Sequence, residues 1–362
     1  LVLRFGEVGN AQIFSWLDDD HIVLYDDTES PLDKTVEVIK RFGKPKKIGV
    51  ETTSFFLSVR NYQALANKLT GAELVDAAGL VDQLRMIKSP AELAYIRQAA
   101  KAVNAGGSTD RWENASGEVV LLNDIDLTEL TEWTPIGQGK ATGSPSYNTL
   151  TNPFTGVFDG QGFTIKGIRW TFNVENETTH LHGLFGAIKD ATIKNLKLGA
   201  AGDQITLAGT SQNIVSAGAL AGYAEGSTIV NVTNNVSVIL TGDNPDATLM
   251  MLAGIAGCIK STTIGGETKD DAVINNGDVK TGRITNTANG GTGMNIGGIC
   301  AFTLGAGTKL NYCTNNGEIS APTGRGGGLV GTLGGSTTEE NGTVIANSTN
   351  NGTIQDDAIG QY

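Results

Sequence analysis

Three carboxylates are the first residues whose type suits chemistry. Asp124, Asp126 and Asp159 lie in two stretches of short apolar runs, 119–127 and 154–168. Carboxylates clustered on one face of a strand array can cleave polysaccharides. A retaining pair needs its carboxyl groups about 5 Å apart, an inverting pair about 6.5–9.5 Å. Asn123-Asp124 and Asp159-Gly160 equally fit plain turn chemistry, and that is the reading adopted. His180 and His182 alternate in a strand-like run and so share a face. Two imidazoles without a third ligand do not make a zinc site. Asp18-Asp19-Asp20 is three carboxylates in a row. Strand neighbours point to opposite faces, so these converge poorly on a cation and read as a solvated turn, with His21 a surface histidine beside it. Gly324-Arg325-Gly326-Gly327-Gly328 lacks the Gly-Lys-Ser/Thr ending of a phosphate loop and reads as a repeat corner. Cys258, Cys300 and Cys313 cannot form a complete set of internal disulfides and read as small core residues. Among Trp112, Trp133 and Trp170, Trp133 reads as core and Trp170 as the exposed ring able to stack on a sugar. No catalytic, cofactor-binding or metal-ligating residue is assigned.

The elements that would position these residues fall into two unlike parts. The chain has 362 residues, 39% hydrophobic and only 18% charged, with 49 glycines and a net charge of −12. Residues 1–105 hold 6 of those glycines, with 13 basic and 14 acidic residues. The remainder has 43 glycines, 13 basic and 24 acidic residues. Glycine has no period of three, which excludes collagen. So acidic a chain is a poor partner for nucleic acid. No apolar run is long enough for a spanning helix.

In the first part, Ala11–Leu17 and Ile22–Tyr25 read as a hairpin. Leu32, Val36, Ile39 and Phe42 mark one helix, and Val59, Tyr62, Leu65 and Leu69 a second. Ile48–Glu51 and Leu74-Val75 are brief strands. Ser89-Pro90-Ala91-Glu92 is a capping box with proline at the first helical position, and Leu93, Ile96, Ala100 and Val103 form the stripe that follows. The order gives a small α/β domain. Ile48-Gly49-Val50-Glu51, Leu80-Val81-Asp82 and above all Arg85–Arg97 resemble the N-terminal domain of the creatinase/prolidase superfamily, which includes Xaa-Pro peptidases, creatinases and ectoine-type hydrolases. The resemblance implies a domain that assembles a dimer and covers an active site. It also implies a following catalytic domain whose two metals are held by two Asp, one His and two Glu. The sequence leaves the family's pattern where that domain would begin, so no metal ligand is carried over.

In the second part the signal is self-similarity. Gly183-Leu184-Phe185-Gly186, Ala219-Leu220-Ala221-Gly222, Gly254-Ile255-Ala256-Gly257, Gly298-Ile299-Cys300-Ala301 and Gly328-Leu329-Val330-Gly331 start 36, 35, 44 and 30 residues apart. After them come Ile193–Leu196, Val232-Thr233-Asn234-Asn235, Ile274-Asn275-Asn276-Gly277, Thr314-Asn315-Asn316-Gly317 and Thr349-Asn350-Asn351-Gly352. Strands this short bury a face only by stacking. Asn-Gly tolerates a left-handed corner, and aligned Asn side chains can form ladders. With Ala105–Ser108, Trp133–Gly137 and Phe154–Gly160, these motifs resemble GLUG-repeat β-helix proteins of Bacteroidetes surfaces and bacterial adhesins. That resemblance implies a right-handed parallel β-helix and an exported location, with no shared catalytic residues.

The expectation is a multidomain chain: a small α/β domain over 1–103, then an all-β right-handed parallel β-helix solenoid over 104–362. The leading function is non-catalytic adhesion, or glycan or protein binding, by a β-helix carrying a creatinase-type lid. The expected partners are a glycan or surface protein, with a homodimer through the first domain and no cofactor. The alternative is a fragment or subunit of a metal-dependent Xaa-Pro peptidase or creatinase-type hydrolase. A carbohydrate-active β-helix enzyme is a third reading. The first part points to the cytoplasm and the second to the cell surface. A join between unrelated sequences, between Gln98 and Ser108, is one reading of that conflict.

Overall fold

The computed structural model describes residues 2–9, 19–53, 57–78, 80, 100, 103–107, 113–140, 149–175, 181–209, 214–241, 249–282, 294–322, 325–334 and 342–355. The chain is mostly strand and divides into two units, Leu1–Arg85 and Met86–Tyr362.

In the first unit both expected helices form. Ser30 caps Pro31–Arg41 by accepting the Asp33 N–H, with proline at the start. Ser58 caps Val59–Lys68 in the same way through Asn61. Lys47–Val50 and Glu73–Asp76 pair parallel. Val36, Val50, Leu65 and Leu69 are the core between these elements. One detail differs from the spacing argument. Phe42 falls just past the last helical residue and is 84% exposed. Val23–Tyr25, the second arm of the expected hairpin, pairs parallel with Val2–Arg4 and follows a 3-10 turn over Asp19–His21. Ala11–Leu17, Asp18, Arg85–Arg97 and the capping box Ser89–Glu92 lie outside the described residues.

The second unit is a large curled parallel sheet of sixteen strands, with parallel sheets of six and five strands beside it. Each strand pairs with the equivalent strand one repeat later. Ile193, Ile229, Ile264, Leu310 and Ile345 are partners in succession. So are Leu196, Val232, Val273 and Cys313, and Ile205, Val238, Val279, Ile319 and Ile354. The first two columns are buried as far as Leu310 and Cys313, and the third as far as Ile319. Stacking like on like is what lets strands this short, most of them two to seven residues, bury a face. The stretch Val119–Leu127 makes two strands that do not pair with each other. Glu118–Val120 joins Phe154–Asp159, and Ile125–Asp126 joins Thr164–Lys166.

The two repeated motifs are corners. Ala219 and Leu220 bend the chain between Ile214–Gly218 and Ala221–Glu225. The second Asn of each Asn-Asn pair follows the last strand residue, as Asn275 ends Val273–Asn275 and Asn276 begins the turn. The Asn-Gly pairs therefore serve corners, not hairpins. Much of the spacing variation falls between the six-stranded and five-stranded sheets: Ala208 to Ile214 is a short connection, Lys280 to Met294 a long one. Among the described residues no helix is long and apolar enough to cross a membrane.

Candidate functional site

The carboxylates singled out in the sequence are built into the strands' own hydrogen bonding. Asp124 Oδ1 accepts the Thr164 N–H at 2.7 Å. Asp126 Oδ1 accepts from the Thr128 N–H and hydroxyl, and its Oδ2 faces Lys166 Nζ at 3.7 Å. Asp159 is 4% exposed. It accepts from the Gln161 N–H and side-chain amide, each at 2.8 Å, and from Asn195 Nδ2 at 2.9 Å.

Lys194 completes this cluster. Its Nζ lies 2.7 Å from Glu118 Oε1 and 3.4 Å from Asp159 Oδ2. The three side chains come from three successive strands, since Val120, Asp159 and Lys194 are register partners. Glu118 was not singled out in the sequence; Glu118-Val119-Val120 is an ordinary alternation. Only the register brings it to Lys194.

Charge follows geometry. Burial pushes Asp159 up, but Asn195, the Gln161 N–H and Lys194 together hold it below the usual carboxylate range. Asp126 is the same case, with burial outweighed by Thr128 and Lys166. Hydrogen bonds to Lys194 and Asn114 lower Glu118, and Lys194 itself is raised, chiefly by Glu118. A general acid needs its pKa near the working pH. These shifts run the other way, and the contacts of Lys194 with Glu118 and Asp159 make the cluster an ion-pair clamp between strands.

Trp170 requires a correction. The ring expected to face solvent is 1% exposed and stacks on Trp133, centroids 4.9 Å apart and 12° from coplanar. Alternation along Arg169–Asn173 buries Trp170 and Phe172 and exposes Arg169, Thr171 and Asn173. No face of Trp170 is left for a sugar. Trp133 is core, as read, and its Nε1 donates to the Leu184 carbonyl. His182 is buried with its ring 4.6 Å from Phe172. His180, Trp112 and Gly324 lie outside the described residues. Arg325–Gly327 is a strand of the five-stranded sheet. Cys258, Cys300 and Cys313 are free thiols in the core, Cys313 on the column of Val232 and Val273.

The side chains that the structure aligns best are asparagines. Asn234 Nδ2 donates to Asn275 Oδ1, Asn275 to Asn315 and Asn315 to Asn350, each at 2.8 Å. Their amides also donate to the carbonyls of Val236, Gly277, Gly317 and Gly352. A second, exposed ladder runs the opposite way from Asn351 through Asn316 and Asn276 to Asn235.

Comparison with known proteins bears on the first unit. Residues 1–87 match the creatinase/prolidase N-terminal domain family. Ectoine hydrolase of Halomonas elongata is 34% identical over 96 residues, 24% of this chain and 24% of that enzyme. The chain thus spans about a quarter of the curated relative it matches. The resemblance drawn from the sequence implies a following catalytic domain that holds metal ions. Among the described residues no three His, Cys, Asp or Glu side chains are grouped to hold one, and His182 is packed on a phenylalanine. The residues described do not fit the metal pair, and no reaction step is derived through it.

Proposed function

We propose that the first unit, residues 1–85, serves as the lid and dimerisation domain of a creatinase/prolidase-type hydrolase. The chain is then a piece or a non-catalytic subunit of a metal-dependent enzyme of the Xaa-Pro peptidase or creatinase kind. The observation that carries this reading is the family match over residues 1–87; the 34% identity to an ectoine hydrolase supports it. We assign residues 104–362 to a right-handed parallel β-helix of the GLUG-repeat kind. The unbroken parallel register of its columns and the Asn ladders support that assignment. Its role in this reading is a rigid support, since Asp126, Asp159 and Glu118 are tied to lysines between its strands and Trp170 is buried.

Peptide mass spectrometry of native material tests this reading. The target is the tryptic peptide Gln98–Arg111, allowing for the missed cleavage at Lys101. The subunit form expects the spanning peptide, and light scattering of the chain then gives a dimer. The piece form expects peptides of residues 1–97 on a longer protein that carries the metal-binding domain. A monomer whose spanning peptide is present overturns the proposal.

A further inference from the structure

We propose that the first unit carries a docking groove for an acidic peptide segment with one aliphatic anchor. The inference does not rest on the hydrolase reading above. Two independent observations support it. The first is charge. Lys40-Arg41-Phe42-Gly43-Lys44-Pro45-Lys46-Lys47 places five cations in eight residues of a chain whose net charge is −12. The second is shape. A groove of about 580 Å³ opens where this run leaves its helix. Its floor is apolar, with Ile39, Ile48 and Leu69, and Lys40, Lys44 and Lys68 stand on its lining.

The helix dipole explains part of this charge. Lys40, Arg41 and Lys68 sit in the last turns of the two helices, where cations are favoured. Lys44 lies beyond the helix and gains nothing from that effect. Ion pairs occupy some of the cations: Arg41 with Glu37, Lys47 with Glu73 and Lys68 with Asp33. Among the described residues no carboxylate pairs with Lys40 or Lys44. Both are exposed on the groove's wall.

Apolar floor and cationic rim together select the occupant. A free anion would use the lysines and leave the floor wet. Single-stranded nucleic acid needs aromatic rings to stack its bases, and the groove is lined by none. An extended peptide whose leucine enters the floor and whose flanking carboxylates reach the lysines satisfies both. Such steering would be salt-dependent, because the screening length falls from about 10 Å at 0.1 M to about 3 Å at 1 M salt.

The test uses the full chain and a fluorescein-labelled acetyl-Asp-Glu-Leu-Asp-Glu-amide, followed by anisotropy. The neutral Asn-Gln-Leu-Asn-Gln analogue is the first control. Saturable binding of the acidic peptide is expected, weakening with salt. Lys40→Glu with Lys44→Glu should raise Kd by about tenfold or more, as reversing complementary charges does. Lys44→Gln alone should give a smaller loss, with circular dichroism unchanged. Lys46→Glu reverses an exposed charge in the same basic run but off the groove, and should leave Kd unchanged. Equal binding of the neutral analogue overturns the proposal. So does a Lys46→Glu effect as large as that of the Lys40→Glu, Lys44→Glu double variant, or preferential binding to phosphatidylserine vesicles or a single-stranded oligonucleotide.

Discussion

A Cβ built on Gly254 would stand 2.3 Å from the side-chain carboxamide carbon of Asn275. The same holds one repeat on, for Gly298 and Asn315 at 2.3 Å, and again for Gly328 and Asn350 at 2.3 Å. The glycine of one repeated motif is therefore the seat of the asparagine of the other. Each buried Asn needs its amide aligned with the next rung, and only a residue without a side chain leaves that room.

Gly254→Ala should destabilise the second unit by about 1–3 kcal/mol, the usual cost of overpacking a tight site. Asn275→Ala should cost a comparable or larger amount, because it leaves Asn234 Nδ2 and Asn315 Oδ1 short of a buried partner, at about 1–3 kcal/mol for each such group. Asn350→Ala, at the exposed end of the ladder, should cost less. Denaturant midpoints at constant slope check the order. A Gly254→Ala protein as stable as the parent would mean that the ladder shifts to make room.

These relationships mark how far the sequence can be read. The helices of the first unit were legible because apolar spacing, serine caps and the proline start agree at Pro31–Arg41. The repeats were legible because Gly and Asn motifs recur, and the ladders follow because the first Asn of each pair ends the equivalent strand in every repeat. Trp170 was misjudged because an aromatic in Arg-Trp-Thr-Phe looks equally at home on a surface or in a core. Only the pairing of Arg169–Asn173 with Gln204–Ala208 fixes which face turns inward. The Glu118–Lys194–Asp159 clamp was hidden for a related reason. Its members are up to 76 residues apart and meet only through strand register.

The thiols give a pH-dependent signature. Burial pushes all three up, Cys313 to about 12. In the unfolded chain they ionise near their ordinary value of 9.0. Above that pH the unfolded state holds fewer protons than the folded one, so stability falls as pH rises from about 9 towards 12. Cys313→Val fits the column of Val232 and Val273 and should flatten part of that slope. A thiol reagent should find no reactive cysteine in the native protein and three after denaturation. Rapid labelling of any of the three in the native state would contradict the burial of these columns.

Asp159 should dominate one limb of the acid response. Its pKa is depressed in the fold, so its contribution is present above the unfolded carboxylate value, near 4, and is lost as pH falls through the folded value. Asp159→Asn should lower stability at neutral pH by about 1–3 kcal/mol, through loss of charge-assisted bonds with Lys194, Asn195 and Gln161. It should also shrink the difference between pH 3 and pH 6, two values chosen to lie on either side of about 4. An unchanged acid limb would place the titrating group elsewhere.

Asn104 decides which unit the residues of the seam serve. Its Nδ2 donates to the Pro135 carbonyl at 2.9 Å, its Oδ1 accepts the Gly137 N–H at 2.7 Å and its carbonyl accepts Asn152 Nδ2 at 2.7 Å. Ala100 and Val103 are buried in the core that also holds Leu121, Trp133, Phe154 and Phe185. The stripe that begins at Leu93 therefore ends inside the repeat unit. Asn104→Ala, or a charge introduced by Val103→Asp, should lower the unfolding temperature of the second unit and leave that of the first unchanged. Protection of amide hydrogens against exchange, read separately in Val59–Lys68 and in Phe185–Leu198, distinguishes the two. Loss of protection in Val59–Lys68 alone would tie the seam to the first unit, and the buried contacts of Val103 would then contribute nothing to the stability of the strands they touch.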